Sequence, residues 1–225
     1  MGEWVAVGET GHQAYLARPA SGAGPGVLVL HAWWGLTPVF TQICDDLATL
    51  GYVALAPSLF AGGATADTIP DAEALRDAQD EEAVVRPVLL ASAELLRTLP
   101  GVNPSPLAVI GFSLGAYWAF LLSQVRPEDV CAVVVFYGAG EGDFSDTRAA
   151  YLGHFAEQDP YEDLDYVREL EQQMRDAGRE VTFHVYPGTK HWFVEPNRPE
   201  YAAAAAELAW ARTQEFLGAQ TNSQT

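Results

Sequence analysis

Short continuous apolar runs alternate with longer segments of helical periodicity along this chain. The run Gly26–His31 (GVLVLH) has the composition of a strand that is buried on both faces. The next segment, Thr37–Leu50, has apolar residues at helical spacing, with Thr37 as its N-cap and Pro38 in its first turn. Because parallel strands are joined through helical crossovers, the alternation predicts an α/β fold with a mostly parallel central sheet and helices on both faces.

The same two periodicities predict the remaining elements. The other predicted strands are an antiparallel pair at Glu3–Glu9 and Gln13–Arg18, then Tyr52–Ala56, Pro106–Gly111, Val130–Tyr137, Ala149–Ala156 and Glu180–Tyr186. The other predicted helices are Asp71–Leu99 with a break or new start at Pro87, Leu114–Val125, Tyr161–Ala177 and Glu200–Leu217. No linker, repeat or change in composition divides residues 1–217, so we expect one domain there. We expect the polar tail, residues 218–225, to be disordered.

The chain is strongly acidic, with 30 Asp and Glu against 12 Lys and Arg and a formal net charge of −18. Nucleic acids and anionic membranes are polyanions, so this charge excludes both as expected partners. A solvated acidic surface accounts for most of the charge.

Two cysteines, Cys44 and Cys131, lie in apolar runs and are expected to be buried, inert thiols. The sequence contains no CxxC or HExxH motif, so no metal and no cofactor are expected. The first residues lack a basic segment followed by a long apolar run, and the longest apolar stretch is shorter than the ~20 residues that span a bilayer. These features predict a cytoplasmic protein.

The segment Gly111–Gly115 (GFSLG) is a G-x-S-x-G motif between a predicted strand and a predicted helix. A serine on such a sharp turn projects above the sheet, where the helix N-terminus favours developing negative charge. The motif is short enough to arise by chance, and a tight turn that only permits close packing is the alternative. Its place between strand and helix favours Ser113 as a nucleophile.

A serine hydroxyl is a poor nucleophile without a base, and α/β hydrolases place nucleophile, acid and histidine in that order along the chain. His191 lies in a loop after the last predicted strand, where it can reach the serine. His154 and His184 lie within strand patterns and are expected to be structural. The sequence therefore predicts His191 as the general base.

The acid of this set is expected in the loop after the Ala149–Ala156 strand. Asp159 lies there and would fix the tautomer of His191 and stabilise the imidazolium. Its alternative role is the N-cap of the next helix, with Pro160 in the first turn. The competing carboxylates in this segment are Glu157, Asp163 and Asp165.

Catalysis by such a set also needs N–H donors for the oxyanion. One is the backbone N–H of Leu114, directly after the nucleophile. The second is expected after the first buried strand, at Trp33, with Ala32 and Trp34 as its alternatives. His31, at the end of that strand, is expected to form a hydrogen bond with the loop rather than to act as a base.

Taken together, these residues resemble the dienelactone hydrolase family, which has an α/β-hydrolase fold without a cap domain. The resemblance covers nearly the whole chain. Its segments are Gly26–Gly35, Gly51–Phe60 (GYVALAPSLF), Gly111–Gly115, Phe136–Gly138, the Asp159 loop, His191–Phe193 and the final helix at Tyr201–Trp210. It implies Ser113, Asp159 and His191 as the catalytic triad, and Leu114 and Trp33 as the oxyanion hole.

This chain departs from the family's best-known members at three positions. It has Ser113 where they have a cysteine, and Ala32 where they have a glutamate that helps to activate the thiol. These two changes fit each other, because a serine relies on the histidine and needs no thiolate. It also has Glu195 where they have an arginine that binds the substrate carboxylate. Glu195 would repel an anionic substrate, although Arg198 lies near enough in sequence to supply a relocated anion site.

Aromatic residues are frequent near the predicted strand ends. The predicted substrate-binding residues are Trp34, Phe60, Phe112, Tyr137, Trp192 and Glu195. Tryptophans in loops are hard to explain as core alone, so we expect an apolar pocket for a small acyl or aryl group. Without a cap, that pocket should be shallow and should favour small neutral esters or lactones.

The leading hypothesis is therefore a serine hydrolase that cleaves small carboxylic esters or lactones through an acyl-enzyme on Ser113. The same triad could act instead on a thioester, a peptide, a peracid or another acyl substrate. A non-catalytic, ligand-binding hydrolase fold is the third hypothesis, and it predicts a damaged triad. The expected partner is a small-molecule ester or lactone; the sequence does not determine the oligomeric state.

Overall fold

The computed structural model describes residues 2–222, which fall into two compact units, Met1–Val109 and Ile110–Thr225. Each unit alternates strands with helices, as the predicted α/β class requires. The boundary lies within one strand, Leu107–Phe112. A single domain over residues 1–217 stays a prediction.

The first unit contains strands and helices, and its first and third α-helices pack on its strands. Its strands are β1 (Glu3–Ala6), β2 (Gln13–Ala17), β3 (Gly26–Leu30), β4 (Val53–Pro57) and the first half of β5 (Leu107–Phe112). Its helices are α1 (Pro38–Thr49), α2 (Ile69–Asp77) and α3 (Arg86–Thr98). Strands β1 and β2 pair antiparallel, β2 pairs antiparallel with β4, and β4 pairs parallel with β3.

Local sequence signals explain where the elements of this unit begin and end. Thr37 is the N-cap of α1 and Pro38 lies in the first turn, as predicted. Gly51 follows that helix with φ of 98°, a conformation that glycine adopts readily. The predicted Asp71–Leu99 helix is divided before Pro87: α2 ends at Asp77, Asp80 then caps a π-helical turn at Glu81–Val85, and this turn runs directly into α3.

The second unit continues from β5 into parallel strands. Its elements are α4 (Leu114–Val125), β6 (Val130–Phe136), β7 (Ala150–Ala156), α5 (Leu164–Asp176), β8 (Val181–Tyr186) and α6 (Ala203–Asn222). Strand β7 pairs parallel with β6 on one side and β8 on the other. Helices α4 and α6 pack on β6, and α5 packs on β8. Residues 137–149, between β6 and β7, contain no helix, so no cap is inserted there.

Two predicted boundaries in this unit were wrong. Helix α5 begins at Leu164 rather than at Tyr161, because Asp163 is its N-cap and accepts the N–H of Asp165 at 2.8 Å. Helix α6 continues to Asn222, so residues 218–222 are helical and not disordered. Thr221 is buried and donates to the Leu217 carbonyl at 2.8 Å, which extends the packed face of the helix. Residues 223–225 of the predicted tail lie outside the described residues.

The two cysteines are confirmed as buried free thiols. Burial raises the pKa of the Cys44 thiol strongly and that of Cys131 to about 11, so both stay protonated at neutral pH. Among residues 2–222, no helix is both long and apolar enough to cross a membrane.

Candidate active site

Ser113 lies on a strained turn between β5 and α4, with φ of 50° and ψ of −114°. Its N–H donates to the Phe136 carbonyl at 2.9 Å. A Cβ at Gly111 would lie 2.4 Å from the Gly115 carbonyl oxygen, and one at Gly138 would lie 2.5 Å from the Ser113 carbonyl oxygen. The turn therefore needs glycine at 111, the first glycine of the G-x-S-x-G motif, and also at 138, outside the motif.

Three predicted residues of the second unit form one chain of hydrogen bonds. The Oγ of Ser113 lies 2.9 Å from Nε2 of His191. On the other side of the ring, Nδ1 lies 2.9 and 2.7 Å from the two carboxylate oxygens of Asp159. A carboxylate only accepts hydrogen bonds, so Nδ1 carries the proton and Nε2 is free to accept one from the serine. This arrangement can deprotonate Ser113 as it attacks an electrophile.

Asp159 is almost wholly buried, with 1% of its side chain exposed, and it also organises the loop before α5. Its Oδ1 accepts the backbone N–H groups of Tyr161 at 2.9 Å and Glu162 at 3.2 Å. It is not the N-cap of α5, so the alternative role predicted for it belongs to Asp163. The other competing carboxylates have partners elsewhere: Glu157 accepts the N–H of Gly188, and Asp165 pairs with Arg168.

His154 and His184 lie on strands, as predicted. His154 is fully buried on β7, with its ring nitrogens 2.8 Å from the Tyr186 hydroxyl and 3.0 Å from Oγ1 of Thr213. Burial, with the nearby charges of His184 and Arg212, holds its pKa well below the usual histidine value. His184 lies on β8, and its ring stacks on that of His154 with 6.1 Å between the centroids.

His31, in the first unit, holds the loop that follows β3. Its Nδ1 donates to the Ala32 carbonyl at 2.7 Å, and its Nε2 accepts the N–H of Leu59 at 3.0 Å. These two bonds use both ring nitrogens, and burial lowers the pKa of His31 to about 4. The prediction of a loop-bonding His31 is confirmed.

The other predicted site residues of the first unit cluster around this loop. Trp33 and Trp34 follow β3, are 7% and 1% exposed, and meet edge to face at 5.5 Å between ring centroids. Phe60 is buried against the His31 ring at 5.2 Å. The guanidinium of Arg76, a residue that sequence reasoning missed, lies 5.8 Å from the centre of the Trp33 ring. The oxyanion role of Trp33 and the substrate roles of Trp34 and Phe60 stay predictions.

In the second unit, the residues predicted to bind substrate are buried. Phe112 stacks on Phe136 at 4.8 Å and contacts Trp210, which places it in the core of the unit. Trp192 is 5% exposed and packs edge to face against the ring of His191. Substrate contacts for Phe112 and Trp192 stay predictions.

The side chain of Glu195 is buried. It is 1% exposed, and its Oε1 accepts the hydroxyl of Tyr137 at 2.8 Å. Its Oε2 lies 4.0 Å from Nε of Arg198. The expected repulsion of an anionic substrate stays a prediction, and the nearby Arg198 cation offsets part of the charge of Glu195. Desolvation outweighs the effects of Tyr137 and Arg198 and raises the pKa of Glu195 to about 7.

Comparison with known proteins gives the family of this chain. The model of the dienelactone hydrolase family matches residues 12–221. The chain belongs to the dienelactone hydrolase family. The predicted family and the predicted α/β-hydrolase fold are therefore confirmed.

Several relatives match the chain over nearly its whole length. Protein usf of Aquifex pyrophilus is 30% identical, over 96% of this chain and 98% of its own. A protein of Aquifex aeolicus (strain VF5) named for carboxymethylenebutenolidase is 31% identical, over 93% of this chain and 96% of its own. A solved structure from Klebsiella pneumoniae subsp. pneumoniae MGH 78578, named for dienelactone hydrolase, is 25% identical with a TM-score of 0.85, over 97% of this chain and 98% of that one.

Sequence reasoning missed two residues near His191 and Asp159 in this dienelactone hydrolase family member. The Tyr161 ring is half-exposed and lies 4.9 Å from the His191 ring and 5.3 Å from the Trp192 ring. Glu162 accepts a hydrogen bond from the backbone of Ala139, and burial raises its pKa to about 7. The only sequence signal for either was proximity to Asp159, which does not show where a side chain points.

The described part of the chain offers no cluster of three or more His, Cys, Asp or Glu side chains arranged to hold a metal ion. A surface cavity of about 490 Å³ is lined by Glu157 and by residues 159–164, and none of these is Lys or Arg.

Proposed function

We propose that this dienelactone hydrolase family member is a serine esterase or lactonase that cleaves small carboxylic esters or lactones through an acyl-enzyme on Ser113. The observation that carries the proposal is the hydrogen-bonded chain from Ser113 through His191 to Asp159. A hydrolase-fold protein that only binds ligands would not need this series of hydrogen bonds. Membership of a hydrolase family supports the same class of reaction.

In the first half of the proposed reaction, Oγ of Ser113 forms a bond to the carbonyl carbon of the substrate. Its proton passes to Nε2 of His191, and the carboxylate of Asp159 stabilises the imidazolium. The tetrahedral intermediate then collapses. The bond to the leaving oxygen breaks, and the proton on Nε2 passes to that oxygen, which departs as an alcohol or as the opened end of a lactone.

In the second half, His191 takes a proton from water through Nε2, and the hydroxide attacks the acyl carbon. Collapse of this second intermediate breaks the bond to Oγ, and Nε2 returns its proton to Ser113. The products are a carboxylic acid and the free enzyme.

The developing oxyanion needs N–H donors that are already in place. Leu114 is the first residue of α4, so its N–H has no acceptor within the helix and can donate to the substrate oxygen. The positive end of the helix dipole adds to this stabilisation. For the second donor, the backbone N–H of Trp33 remains the sequence prediction.

The proposal is tested with a fluorophosphonate probe and p-nitrophenyl acetate. Intact-mass analysis of the wild type should show one adduct, mapped to Ser113, and the enzyme should turn over the ester. Ser113→Ala should show neither, whereas Ser145→Ala, at an exposed loop serine, should match the wild type. Undiminished turnover by Ser113→Ala would refute the nucleophile assignment.

A substrate panel then separates the possible acyl groups. We expect small esters and lactones to be hydrolysed in preference to thioesters and peptides of similar size. Preferential turnover of a thioester or peptide would keep the triad and change the substrate class. The cytoplasmic location stays a prediction.

A further inference from the structure

The proposed base His191 lies on a segment without regular secondary structure. Strand β8 ends at Tyr186 and α6 begins at Ala203, and His191 lies in the turns between them. The next residue, Trp192, has φ of 66°, which is unusual for a residue with a bulky side chain. The hydrogen bonds of a strand or a helix do not orient this segment, so other contacts must hold the imidazole between Ser113 and Asp159.

Tyr137 packs against the imidazole from the end of β6. It is fully buried, its φ is 39°, and its N–H donates to the His154 carbonyl at 2.7 Å. Its ring centroid lies 4.8 Å from that of His191. Its hydroxyl donates to Oε1 of Glu195 at 2.8 Å. The tyrosine thus contacts the His191 segment at two points, four residues apart.

Glu195 closes the turn that begins after His191. Its N–H donates to the Trp192 carbonyl at 2.9 Å, and its own carbonyl accepts the N–H of Arg198 at 3.0 Å. A buried carboxylate is costly unless hydrogen bonds or charges compensate it; the Tyr137 hydroxyl donates to Oε1 of Glu195, and Nε of Arg198 lies 4.0 Å from Oε2. The backbone of the turn and the side chain of Glu195 are therefore tied to the end of β6 together.

We infer that Tyr137 and Glu195 are positioning residues for His191. Their hydrogen bond braces the 191–195 turn against β6 and so keeps the imidazole aligned with both Ser113 and Asp159. The inference rests on the proposed function for its effect on rate, but the alignment itself can be measured without substrate.

The brace should also depend on pH. Burial raises the pKa of Glu195 to about 7, against the opposing effects of the Tyr137 hydrogen bond and the Arg198 charge and with a further contribution from Glu200. The ionised carboxylate is the stronger acceptor for the Tyr137 hydroxyl. The brace therefore strengthens as pH rises through 7. The substitution Glu195→Gln introduces an amide that does not titrate, so it should remove this part of the pH dependence.

The test uses Tyr137→Phe, which removes the hydroxyl, and Glu195→Gln, which keeps an acceptor oxygen. Tyr151→Phe is the matched control. Tyr151, near the start of β7, is also buried in the same unit, and its hydroxyl forms a hydrogen bond with Ser123 at 2.9 Å. For an ester of the panel, Tyr137→Phe should lower kcat about tenfold and leave KM within about twofold. Glu195→Gln should retain kcat within about threefold and flatten its pH profile near 7. Tyr151→Phe should leave kcat unchanged.

The substrate-free readout is the NMR signal of the His191 Nδ1 proton, which the hydrogen bond to Asp159 moves downfield. This signal should be sharp in the wild type, Glu195→Gln and Tyr151→Phe, and broadened or lost in folded Tyr137→Phe. That result supports the brace even if Ser113 proves unreactive towards the probe. An unchanged signal in Tyr137→Phe overturns the inference whatever the rates, while probe labelling of Ser113 would still support the proposed function.

Discussion

The carboxylate of Asp159 lies 2.7 Å from Nδ1 of His191, and 1% and 3% of the two side chains are exposed, respectively. Exclusion of water strengthens this hydrogen bond, and the carboxylate, which can only accept, places the imidazole proton on Nδ1. The nitrogen that remains, Nε2, faces Oγ of Ser113 at 2.9 Å. Contacts around this pair account for much of the chemistry that we propose.

Replacing Asp159 by Asn should lower kcat by about 10³- to 10⁴-fold, because the amide neither fixes the tautomer nor stabilises the imidazolium. The control is Asp163→Asn in the same loop. Asp163 caps α5, and Asn caps helices about as well, so its kcat should stay within about twofold of the wild type. Steady-state kinetics with p-nitrophenyl acetate measure both. Equal losses of kcat in the two variants would mean that disruption of the loop, rather than loss of the Asp159 carboxylate, lowers the rate.

Gly138→Ala should destabilise the protein by about 1–3 kcal/mol, since the new Cβ would lie 2.5 Å from the Ser113 carbonyl oxygen. The displaced turn should also lower kcat about tenfold. Gly218→Ala is the control, because its Cβ meets no atom within 4 Å and it lies in α6. That variant should be unchanged or more stable by roughly 0.5–1 kcal/mol. Urea unfolding and kcat together check the prediction, and it fails if Gly138→Ala matches the wild type in both.

His31 should make the protein less stable in acid. Burial lowers its pKa from 6.5 to about 4, so between these pH values the unfolded chain binds a proton that the folded chain does not. The resulting loss of unfolding free energy, as pH falls from 6.5 to 4, is about 3 kcal/mol. Urea unfolding at several pH values measures it.

Other buried groups contribute to the same pH profile, so the effect of His31 is taken as a difference between two proteins. The lowered pKa of His154 acts in the same direction, whereas the raised pKa of Glu195 contributes stability that is lost as pH rises from 4.5 through 7. His31→Gln can keep both hydrogen bonds of the ring without titrating. The wild type should therefore lose more stability in acid than this variant, and identical slopes would contradict the prediction.

Tyr161→Ala should lower kcat by about 2- to 10-fold, because it removes ring contacts worth about 0.5–1.5 kcal/mol that help to hold His191. Tyr161→Phe keeps the ring and should stay near the wild type. Tyr166→Ala, at another half-exposed tyrosine nearby on α5, controls for the loss of an aromatic side chain. A loss of activity in Tyr166→Ala as large as that in Tyr161→Ala would show that the ring contact with His191 is not the cause.

Glu195→Gln should leave the preference between a neutral ester and its anionic analogue unchanged within about twofold, since the Arg198 guanidinium, 4.0 Å from Oε2, offsets the charge of Glu195 and the raised pKa of about 7 leaves the carboxyl partly protonated near neutral pH. The ratio of kcat/KM for acetate and hemisuccinate esters of p-nitrophenol measures this. A selective gain for the hemisuccinate in the variant would restore the electrostatic reading of Glu195 that its sequence position suggested.

Much of the proposed site could be predicted because its signals are local in the chain. Ser113 stands out because a buried strand, two glycines and a helix surround it, and His191 because it follows the last strand. Asp159 was the preferred acid among several carboxylates, and its hydrogen bonds agree with that preference. The start of α5 was misplaced because Asp159 and Asp163 both have the residue type of an N-cap.

What the sequence alone determined is the order of strands and helices, the identity of the turn at Ser113 and the family, because periodicity and backbone constraints act within a few residues. Tertiary structure decided the surroundings of His191. Its bonds to Ser113 and Asp159 join residues 78 and 32 positions apart, and the Tyr137–Glu195 bond joins residues 58 apart. From the sequence, Glu195 was expected to repel an anionic substrate; its burial and its hydrogen bond with Tyr137 are visible only in the structure. Burial and pairing depend on which distant segments pack together, and no local pattern encodes that.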